Sequence, residues 1–351
     1  MGRIRGLARP GVVPALGAAL LFGAGTPLAK QLLRGIDPWV LAGLLYLGSG
    51  IGLSAWRQLR RAPRVKLDAS EWLWFVAAVG FGGVLGPVLL MRGLAGMQAS
   101  GAALLLNAES VFTALLAWFV FRENFDRRIA LGMLAIVAGA VLLSGAGGGK
   151  WSVSDLGPAM LVLGACLAWG IDNNLTRKVS GADSSWVASI KGLVAGGVNL
   201  ALALGAGARL PGPALGAAAM LVGLLAYGVS LSLFVVALRH LGSARTGAYF
   251  SIAPFFGALL AVLMGDPLTL PLLGAALLMG IGVWLHLTER HEHLHTHEVL
   301  EHEHEHEHDE HHQHEHEIPV APGERHTHRH RHEPLTHSHA HAPDLHHRHP
   351  H

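Results

Sequence analysis

Histidine alternates with acidic residues near the C-terminal end of this 351-residue chain, where residues 301–317 have the sequence EHEHEHEHDEHHQHEHE. In an extended chain, this alternation places the histidines on one face and the glutamates on the other. Histidine-rich tracts bind metal ions, and imidazole suits several transition metals. The sequence therefore predicts a tail that binds Zn, Ni, Co or Cu, the alternative being a solvated low-complexity tail without a metal. The candidate ligands are His291, His293, His295, His297, His302, His304, His306, His308, His311, His312, His314, His316, His326, His328, His330, His332, His337, His339 and His341.

Glu109 is a second candidate for chemistry, because it stands near the middle of a long apolar stretch. A carboxylate at the centre of a bilayer costs about 3 kcal/mol on insertion scales, so such residues face a cavity or a partner. Burial favours the protonated form of a carboxyl group, so Glu109 is a candidate for proton coupling or for recognition of a cationic group. The alternative is a protonated, hydrogen-bonded packing residue.

Four polar or aromatic residues near a later pair of apolar stretches are further candidates. Asp172 and Asn173 follow Trp169, and together with the next residue, Asn174, they either contact a substrate at a gate or cap the end of a helix. Lys191 lies some seven residues into the next stretch, from where its side chain can also reach the interface. A salt bridge from Lys191 to Asp172 or to Glu109 is open at this stage.

Asn107 and Tyr249 complete the set of candidates for a substrate or proton pathway. Both lie within apolar stretches, where they can line a cavity, although an aromatic residue at such a position is more often simple packing. No nucleophile–base pair and no phosphate-binding loop is present. The sequence thus predicts neither an enzyme nor a nucleic-acid-binding protein, names no catalytic residue and requires no cofactor.

The elements that must hold these residues are membrane helices. The chain is 51% hydrophobic and 14% charged, and its apolar runs are about twenty residues long, which is enough to cross a bilayer. Backbone groups in lipid must be satisfied internally, so runs of this length predict helices. The ten predicted spans are 11–32, 38–56, 70–91, 98–121, 128–146, 155–174, 184–205, 214–238, 246–264 and 268–287.

The distribution of basic residues predicts the orientation of these spans. Fifteen Lys and Arg residues lie in the N-terminus and in alternate loops, and five lie in the opposite loops. Because short cytoplasmic loops carry the excess of Lys and Arg, both termini are expected on the cytoplasmic side. We expect a multi-pass protein of a bacterial inner or plasma membrane.

The two halves of the apolar region repeat each other. GAALLFGAGTPLAKQLL from Gly17 matches GACLAWGIDNNLTRKVS from Gly164, and AESVFTALLAWFVFREN from Ala108 matches IAPFFGALLAVLMGDP from Ile252. Each half has five predicted spans, an odd number, so the second half must be inverted relative to the first. The predicted organisation is a cytoplasmic N-terminus (1–10), two five-helix repeats (11–146 and 155–287) and a disordered cytoplasmic tail (288–351).

These paired segments resemble the drug/metabolite transporter superfamily in its EamA-like branch, in which each half carries a Glu-Pro-(apolar)-Phe stretch followed by Gly-Glu. Here Ala108-Glu109-Ser110-Val111-Phe112 with Arg122-Glu123, and Ala253-Pro254-Phe255-Phe256 with Gly265-Asp266, occupy these places. The sequence departs from the pattern at Ser110, Arg122 and Ala253. The resemblance covers residues 11–287 and implies an all-α transporter of two inverted repeats. Family members move amino acids, sugars, nucleotide precursors and cationic drugs.

The predicted function is secondary transport of a small organic metabolite or toxic compound out of the cell by alternating access. Two alternatives remain: a transporter of a transition metal or metal complex, and a metal-sensing membrane protein without flux. The apolar body offers metal ligands poorly, because His240 and His286 lie at span ends and Cys166 is alone. The expected partners are a small-molecule substrate, the lipid bilayer and transition-metal ions, and a homodimer is an open alternative.

Overall fold

The computed structural model has two compact units, Met1–Thr288 and Glu289–His351. We call them the membrane unit and the tail. The residues described are 11–63, 65, 67–121, 127–145, 153–176, 179, 183–241, 243–287, 292–297, 300–306, 326–332 and 335–340. Glu123, which belongs to a motif singled out from the sequence, lies outside this set, as do the tail histidines outside the ranges given above.

In the described residues, the membrane unit contains α-helices and two short π-helices. The first half contains α1 (Val12–Leu32), α2 (Pro38–Leu59), α3 (Ala69–Ala78), a π-helix (Val79–Leu85), α4 (Gly86–Ala95), α5 (Ala99–Leu105), α6 (Ala108–Phe121) and α7 (Arg127–Gly145). The second half contains α8 (Val153–Thr176), α9 (Ser184–Gly205), α10 (Pro213–Gly223), a π-helix (Leu224–Val229), α11 (Ser230–Leu241), α12 (Ser243–Phe250), α13 (Ala253–Leu263) and α14 (Leu270–Leu287).

Helices form throughout the apolar stretches, as the sequence predicts. Within the described residues, seven helical stretches are long and apolar enough to cross a membrane, and two shorter apolar helices, Ala253–Leu263 and Leu270–Leu285, follow them. Many large apolar side chains are exposed, among them Leu59, Phe119 and Leu270. An exposed apolar surface of this kind suits lipid rather than water. The count of ten spans stays a prediction.

The predicted spans 98–121 and 246–264 are each interrupted by a helix break. α5 and α6 are separated at Leu106 and Asn107, where the Asn107 side chain donates to the Leu104 carbonyl at 2.9 Å and Ser110 Oγ donates to the Asn107 carbonyl at 2.7 Å. These side-chain bonds compete with regular helix pairing. α12 and α13 are separated just before Pro254, which has no N–H to continue the helix. The two breaks occupy corresponding places in the two halves.

A π-helix interrupts the third predicted span of each half, at Val79–Leu85 and at Leu224–Val229. A π-helix bonds residues five apart and changes the pairing of neighbouring carbonyl groups, and such segments occur frequently at functional sites. Because the bilayer offers no water to free carbonyl groups, neighbouring side chains must bond them. At the first segment, side chains of three other helices bond the Gly82 and Gly83 carbonyl groups.

The helix contacts recur with the halves exchanged. α2 packs on its counterpart α9, and α7 packs on its counterpart α14. α1 contacts α11 and α13 of the second half, and correspondingly α8 contacts α4 and α6 of the first half. Each half is thus completed by helices of the other, and the interior lies between α1, α2, α8 and α9.

The contact between α2 and α9 depends on glycine. A Cβ atom on Gly192 would lie 2.7 Å from the Cα atom of Gly50, and one on Gly50 would lie 2.4 Å from the backbone nitrogen of Leu193. Real Cβ atoms do not approach backbone atoms so closely, so the two helices touch through bare backbone. The small residues allow this close packing, as is common between membrane helices.

An ion pair fixes one end of the same two helices. Arg57, at the end of α2, donates to Asp183 Oδ1 at 2.7 Å and to Ser185 Oγ at 2.5 Å. Burial alone would raise the pKa of Asp183. Hydrogen bonds from the Ser185 hydroxyl and the Trp186 N–H, together with the Arg57 guanidinium, outweigh burial and hold this pKa below its usual value. Asp183 also caps the start of α9 by accepting from the Trp186 N–H at 3.0 Å.

A second set of polar contacts joins the halves near the ends of α1 and α4. Lys30 Nζ donates to the carbonyl groups of Leu94 and Ala95 at 2.7 and 3.1 Å, which caps the C-terminus of α4. Asp266 Oδ2 accepts from the Ser100 N–H at 2.8 Å, near the N-terminus of α5. The acidic residue of the second-half motif thus stabilises the start of a first-half helix.

The tail contains four strands, β1 (Glu292–His297), β2 (Leu300–His306), β3 (His326–His332) and β4 (Leu335–Ala340). β1 pairs with β4 and β2 pairs with β3, both antiparallel. The disorder of residues 288–351 that low hydrophobicity predicts stays a prediction.

We expect Gly192→Ala to destabilise the membrane unit by about 1–3 kcal/mol, because the added methyl group is forced against the Gly50 backbone. Gly197→Ala is the matched control on the same helix, since a Cβ atom there meets nothing within 4 Å. Thermal unfolding of both variants in the same detergent tests this expectation. Equal melting temperatures for the two variants would contradict it.

Candidate transport site

Glu109 lies in the first turn of α6, directly after the helix break, and it bonds across to the other half. Asn173 Nδ2 of α8 donates to Glu109 Oε1 at 2.8 Å and approaches Thr113 Oγ1 at 3.3 Å. Asn173 is exposed and Glu109 is partly buried. The carboxyl group therefore has a polar partner within the helix bundle and remains close to an open surface.

Asp172 and Lys191 form an ion pair beside this bond. Thr176 Oγ1 donates to the second oxygen of Asp172 at 3.0 Å, and both charged side chains are largely buried, at 8% and 17% exposure. Asp172 lies within α8 rather than at its end, so it does not cap the helix. Glu109 interacts electrostatically with both members of the pair. Of the two salt-bridge partners that the sequence left open for Lys191, the structure shows Asp172.

The first π-helix presents its carbonyl groups to this cluster. Tyr46 Oη and Trp169 Nε1 each donate to the Gly82 carbonyl at 2.9 Å, and Asn199 Nδ2 donates to the neighbouring Gly83 carbonyl at 3.1 Å. Gly82 must be glycine, because a Cβ atom there would lie 1.9 Å from Asp172 Oδ2. The irregular backbone therefore fixes the positions of two aromatic side chains beside the buried ion pair.

Aromatic rings extend the cluster to the second half. Tyr227, in the second π-helix, stacks near Tyr46 at 5.7 Å between ring centroids and near Phe22 at 5.9 Å. Phe250 lies 5.2 Å from Phe22 and 5.0 Å from Phe234. Tyr46 also interacts electrostatically with Asp172 and with Glu109. Polar and aromatic side chains of both halves thus meet between the two π-helices.

Five of the seven candidates from the sequence meet in this cluster: Glu109, Trp169, Asp172, Asn173 and Lys191. Asn107 is buried, at 5% exposure. Its Nδ2 donates to the Leu104 carbonyl at the end of α5 and to Met279 Sδ at 3.9 Å, so this residue stabilises the helix break before Glu109. Tyr249 is partly buried in α12, and its neighbour Phe250 is the residue that reaches the aromatic group.

Sequence reasoning did not assign the two tyrosines to the site, and it left Asn174 open between a substrate contact and a helix cap. Tyr46 and Tyr227 stand in otherwise ordinary apolar segments, where nothing but their hydroxyl groups distinguishes them. Asn174 is buried, and its Nδ2 donates to the carbonyl groups of Thr113 and Gly170 at 3.2 and 2.9 Å. Its Oδ1 atom accepts no hydrogen bond within the described residues, which leaves an acceptor for a donor from elsewhere.

Two cavities lie apart from this cluster. One, of about 390 Å³, is apolar and lies between α13 and α14, where Phe255, Leu277 and Trp284 line it. The other, of about 410 Å³, lies at the start of α2 beside Trp39 and Arg92. The first cavity is lined by apolar residues alone. Ligand sites combine apolar walls with a few convergent polar groups, so the polar cluster is the better candidate for a binding site.

The cluster offers two carboxyl groups, one ammonium group, an unpartnered amide oxygen and aromatic faces. Such groups recognise a small charged organic solute by ion pairing, hydrogen bonding and cation–π contact. Across the residues given in the fold description, no group of three or more His, Cys, Asp or Glu side chains is placed to hold a metal ion.

Apolar helices, two helix breaks and a buried polar cluster between repeated halves define a multi-pass membrane protein of the transporter type. The EamA-like transporter family matches the chain twice, over residues 9–145 and 157–288. The protein therefore belongs to the EamA-like transporter family, within the drug/metabolite transporter superfamily, as its sequence motifs predict. This family consists of transporters rather than enzymes.

Several relatives carry transporter names. An uncharacterized transporter of Methanothermobacter thermautotrophicus is 27% identical over 293 residues, which are 78% of this chain and 85% of the relative. A probable amino-acid metabolite efflux pump of Salmonella typhimurium is 28% identical over 47% of this chain and 52% of its own. The probable 4-amino-4-deoxy-L-arabinose-phosphoundecaprenol flippase subunit ArnE of Pseudomonas fluorescens is 34% identical over 26% of this chain and 77% of its own.

A solved crystal structure has the same fold. It is 18% identical, has a TM-score of 0.59, and covers 79% of this chain and 95% of its own. At this identity the likeness concerns the fold alone. It agrees with a helical membrane unit followed by an additional tail.

We expect Asp172→Asn to destabilise the protein by about 3–5 kcal/mol, because Lys191 is then left buried without its counter-ion. Adding Lys191→Met should recover most of this loss, since the double variant buries neither charge. Thermal unfolding of the two single variants and the double variant measures the coupling. A double variant as unstable as the sum of the singles would show that the pair is not coupled.

Proposed function

We propose that this protein is a secondary transporter that exports small amine-bearing organic compounds by alternating access. The observation that carries the proposal is the interior cluster in which Glu109 bonds to Asn173 beside the Asp172–Lys191 ion pair. Ionisable groups inside a membrane bundle mark substrate and proton pathways. The corresponding helix breaks in the two halves support it further, because discontinuous helices form the central site in many transporters.

Glu109 is the proposed site of exchange between a proton and a substrate ammonium group. With Glu109 and Asp172 ionised and Lys191 protonated, the cluster carries one net negative charge, which suits one cation. Lys191 already neutralises Asp172, so Glu109 is the carboxylate available to that cation. Proton binding at Glu109 removes this charge and releases the amine, so inward proton movement drives export.

The groups near the carboxylates favour an amine over other cations, because they include a hydrogen-bond acceptor and aromatic faces. Asn174 Oδ1 supplies a free acceptor, and Tyr46 and Trp169 supply aromatic faces near the carboxylates. Two relatives are named for an amino-acid metabolite and for 4-amino-4-deoxy-L-arabinose-phosphoundecaprenol. The amino group of the second compound supports this class of solute for the present chain.

The proposed motion is a rocking of two inverted five-helix repeats around the cluster, with both termini in the cytoplasm of a bacterial cell. The exchanged contacts of α1 with α13 and of α8 with α6 support such a pseudo-two-fold relation. Inversion makes the two states of the transporter nearly equivalent, so the cluster can face either side in turn.

We expect Glu109→Gln to abolish proton-driven transport while leaving the protein folded, because glutamine can still accept from Asn173 but cannot bind or release a proton. A solute is first identified by comparing exported amines of cells with and without the protein. The flux of this solute is then followed in liposomes under a pH gradient. The transport rate of the variant should be at least about tenfold lower than that of the wild-type protein.

Glu71→Gln is the matched control for this experiment. Glu71 Oε2 accepts from the Asp68 N–H in the capping box of α3, away from the cluster, and glutamine can take the same role. Its flux should equal that of the wild-type protein. Unchanged proton-driven flux in the Glu109→Gln variant would remove Glu109 from the mechanism.

We expect both termini on the same side of the membrane, because an even number of spans joins them in the inverted arrangement. Single cysteines at Gly2 and at Ala342, introduced in a Cys166→Ala background, can be labelled with an impermeant maleimide in intact cells and in inverted vesicles. Both should react only in inverted vesicles. Labelling of one in cells and the other in vesicles would contradict the inverted arrangement.

A further inference from the structure

The contact between α2 and α9 is symmetric. A Cβ atom on Gly50 would meet the backbone nitrogen of Leu193, and correspondingly one on Gly196 would meet the backbone nitrogen of Leu47. The two glycines are separated along the chain by the same number of residues as the two leucines. A local pseudo-two-fold axis at the crossing therefore relates each position of α2 to a counterpart in α9.

The same offset relates the two ends of this helix pair. Asp37 caps the start of α2, and its counterpart Asp183 caps the start of α9. Asp183 also accepts a hydrogen bond from the guanidinium of Arg57, which reaches across from the last turn of α2. The counterpart of Arg57 in α9 is Ala203, whose side chain carries no charge. Within the described residues, Asp183 thus has a basic partner on the facing helix, and Asp37 has none.

A cavity of about 410 Å³ lies at this second end, between the cap and the position that corresponds to Arg57. Asp37, Ala203 and residues 206–208 belong to its lining. Because the carbonyl end of a helix attracts cations, the C-terminus of α9 adds to the negative charge of the Asp37 carboxylate. The arrangement around Arg57 shows that this helix pair can hold a cationic group at such a place. An ammonium or guanidinium group of a ligand suits the cavity for the same reason.

Another part of the lining is cationic. The guanidinium carbon of Arg92 lies 5.4 Å from the centroid of the Trp39 ring, and both residues line the cavity. An arginine stacked on an aromatic ring keeps its fork of N–H groups, which matches a carboxylate or a phosphate group. Among the residues that the structure describes, Arg92 forms no ion pair, so this fork is available to a ligand. A compound with an ammonium group and an acidic group satisfies both parts of the lining.

Hydrogen bonds connect the cavity with the polar cluster. Trp39 Nε1 donates to Asn199 Oδ1 at 3.3 Å, and Asn199 Nδ2 donates to the Gly83 carbonyl of the first π-helix at 3.1 Å. The neighbouring Gly82 carbonyl accepts from Trp169, a residue of the cluster. A short chain of bonded groups thus leads from the cavity wall to the buried ion pair.

We propose that this cavity is a second binding site, which takes a zwitterionic compound with its ammonium group on Asp37 and its carboxylate or phosphate group on Arg92. The site lies about 30 Å along α2 from Arg57, and in the orientation that the basic residues predict it is at the outer end of that helix. An exported amine therefore reaches it after the cluster, a role that rests on the proposed function. Binding itself does not rest on it, because neither charged residue belongs to the cluster.

Protection of a single cysteine tests the site. Ala206→Cys in a Cys166→Ala background places a thiol on the cavity lining, and its reaction with a neutral maleimide is followed in phosphatidylglycerol nanodiscs. At about ten times its Kd, O-phosphoethanolamine should slow this reaction about tenfold, because only the unoccupied site reacts. Ethanolamine and inorganic phosphate, tested separately at the same concentration, should protect much less. A cysteine at the exposed Gly212, outside the lining, should react at an unchanged rate.

Two variants assign the charges. Asp37→Asn and Arg92→Gln should each remove the protection, because each deletes one of the two opposite charges. Asparagine caps a helix as well as aspartate does, so α2 keeps its start. Asp68→Asn, before α3, and Arg34→Gln, an exposed position outside the lining, are the matched controls and should keep full protection. Protection that survives Asp37→Asn or Arg92→Gln would overturn the proposal, and so would equal protection by ethanolamine alone.

A lipid headgroup and a free solute can both supply this chemistry, and a further arm separates them. If a headgroup occupies the site, adding phosphatidylethanolamine to the nanodiscs slows the reaction without any soluble compound. If a free solute occupies it, only O-phosphoethanolamine does so. Glu109→Gln should keep full protection even where it abolishes transport, so a failure of the proposed function leaves this result unchanged. The proposal is wrong if neither the soluble compound nor the lipid protects the thiol.

Discussion

The structure of the membrane unit depends on one constraint: a backbone carbonyl group surrounded by apolar atoms must receive a hydrogen bond. Regular helices meet this requirement by themselves, and the π-helix at Val79–Leu85 does not. Side chains from three other helices complete it, with Tyr46 and Trp169 on Gly82 and Asn199 on Gly83. The irregular segment is thus the point on which α2, α8 and α9 converge, and their convergence brings Asp172, Lys191 and Glu109 together.

The sequence predicted the class of protein and most of the residues of the site. Apolar runs of bilayer length predicted helices, because every backbone group in lipid must find an internal partner. A charged residue deep in such a run had few reasons to be there, so Glu109 could be singled out without a structure, whereas Asp172 and Lys191 lay nearer the span ends and kept alternative roles. The repeat of Ala108–Asn124 at Ile252–Pro267 predicted the family, which the matches to both halves confirm.

The tertiary pairing could not be predicted, because it depends on geometry that periodicity does not contain. Nothing in residues 70–91 or 214–238 distinguishes a π-helix from an α-helix, since both need the same apolar composition. The breaks before Glu109 and Pro254 depend on local hydrogen bonds that a hydropathy pattern averages away. Tyr46 and Tyr227 enter the site only because α2 and the second π-helix approach each other. The role of Asp266 at the start of α5 likewise follows from contact between the halves.

The crossing of α2 and α9 has a mechanical consequence. At Gly50 and Gly192 the two helices meet without intervening side chains, so no ridges interlock there and rotation of one helix on the other meets little steric resistance. Towards one end of the same pair, Arg57 and Asp183 resist separation. Towards the other end, Trp39 Nε1 donates to Asn199 Oδ1 at 3.3 Å, so the two helices are linked on both sides of the glycine contact and their relative freedom is rotation rather than separation.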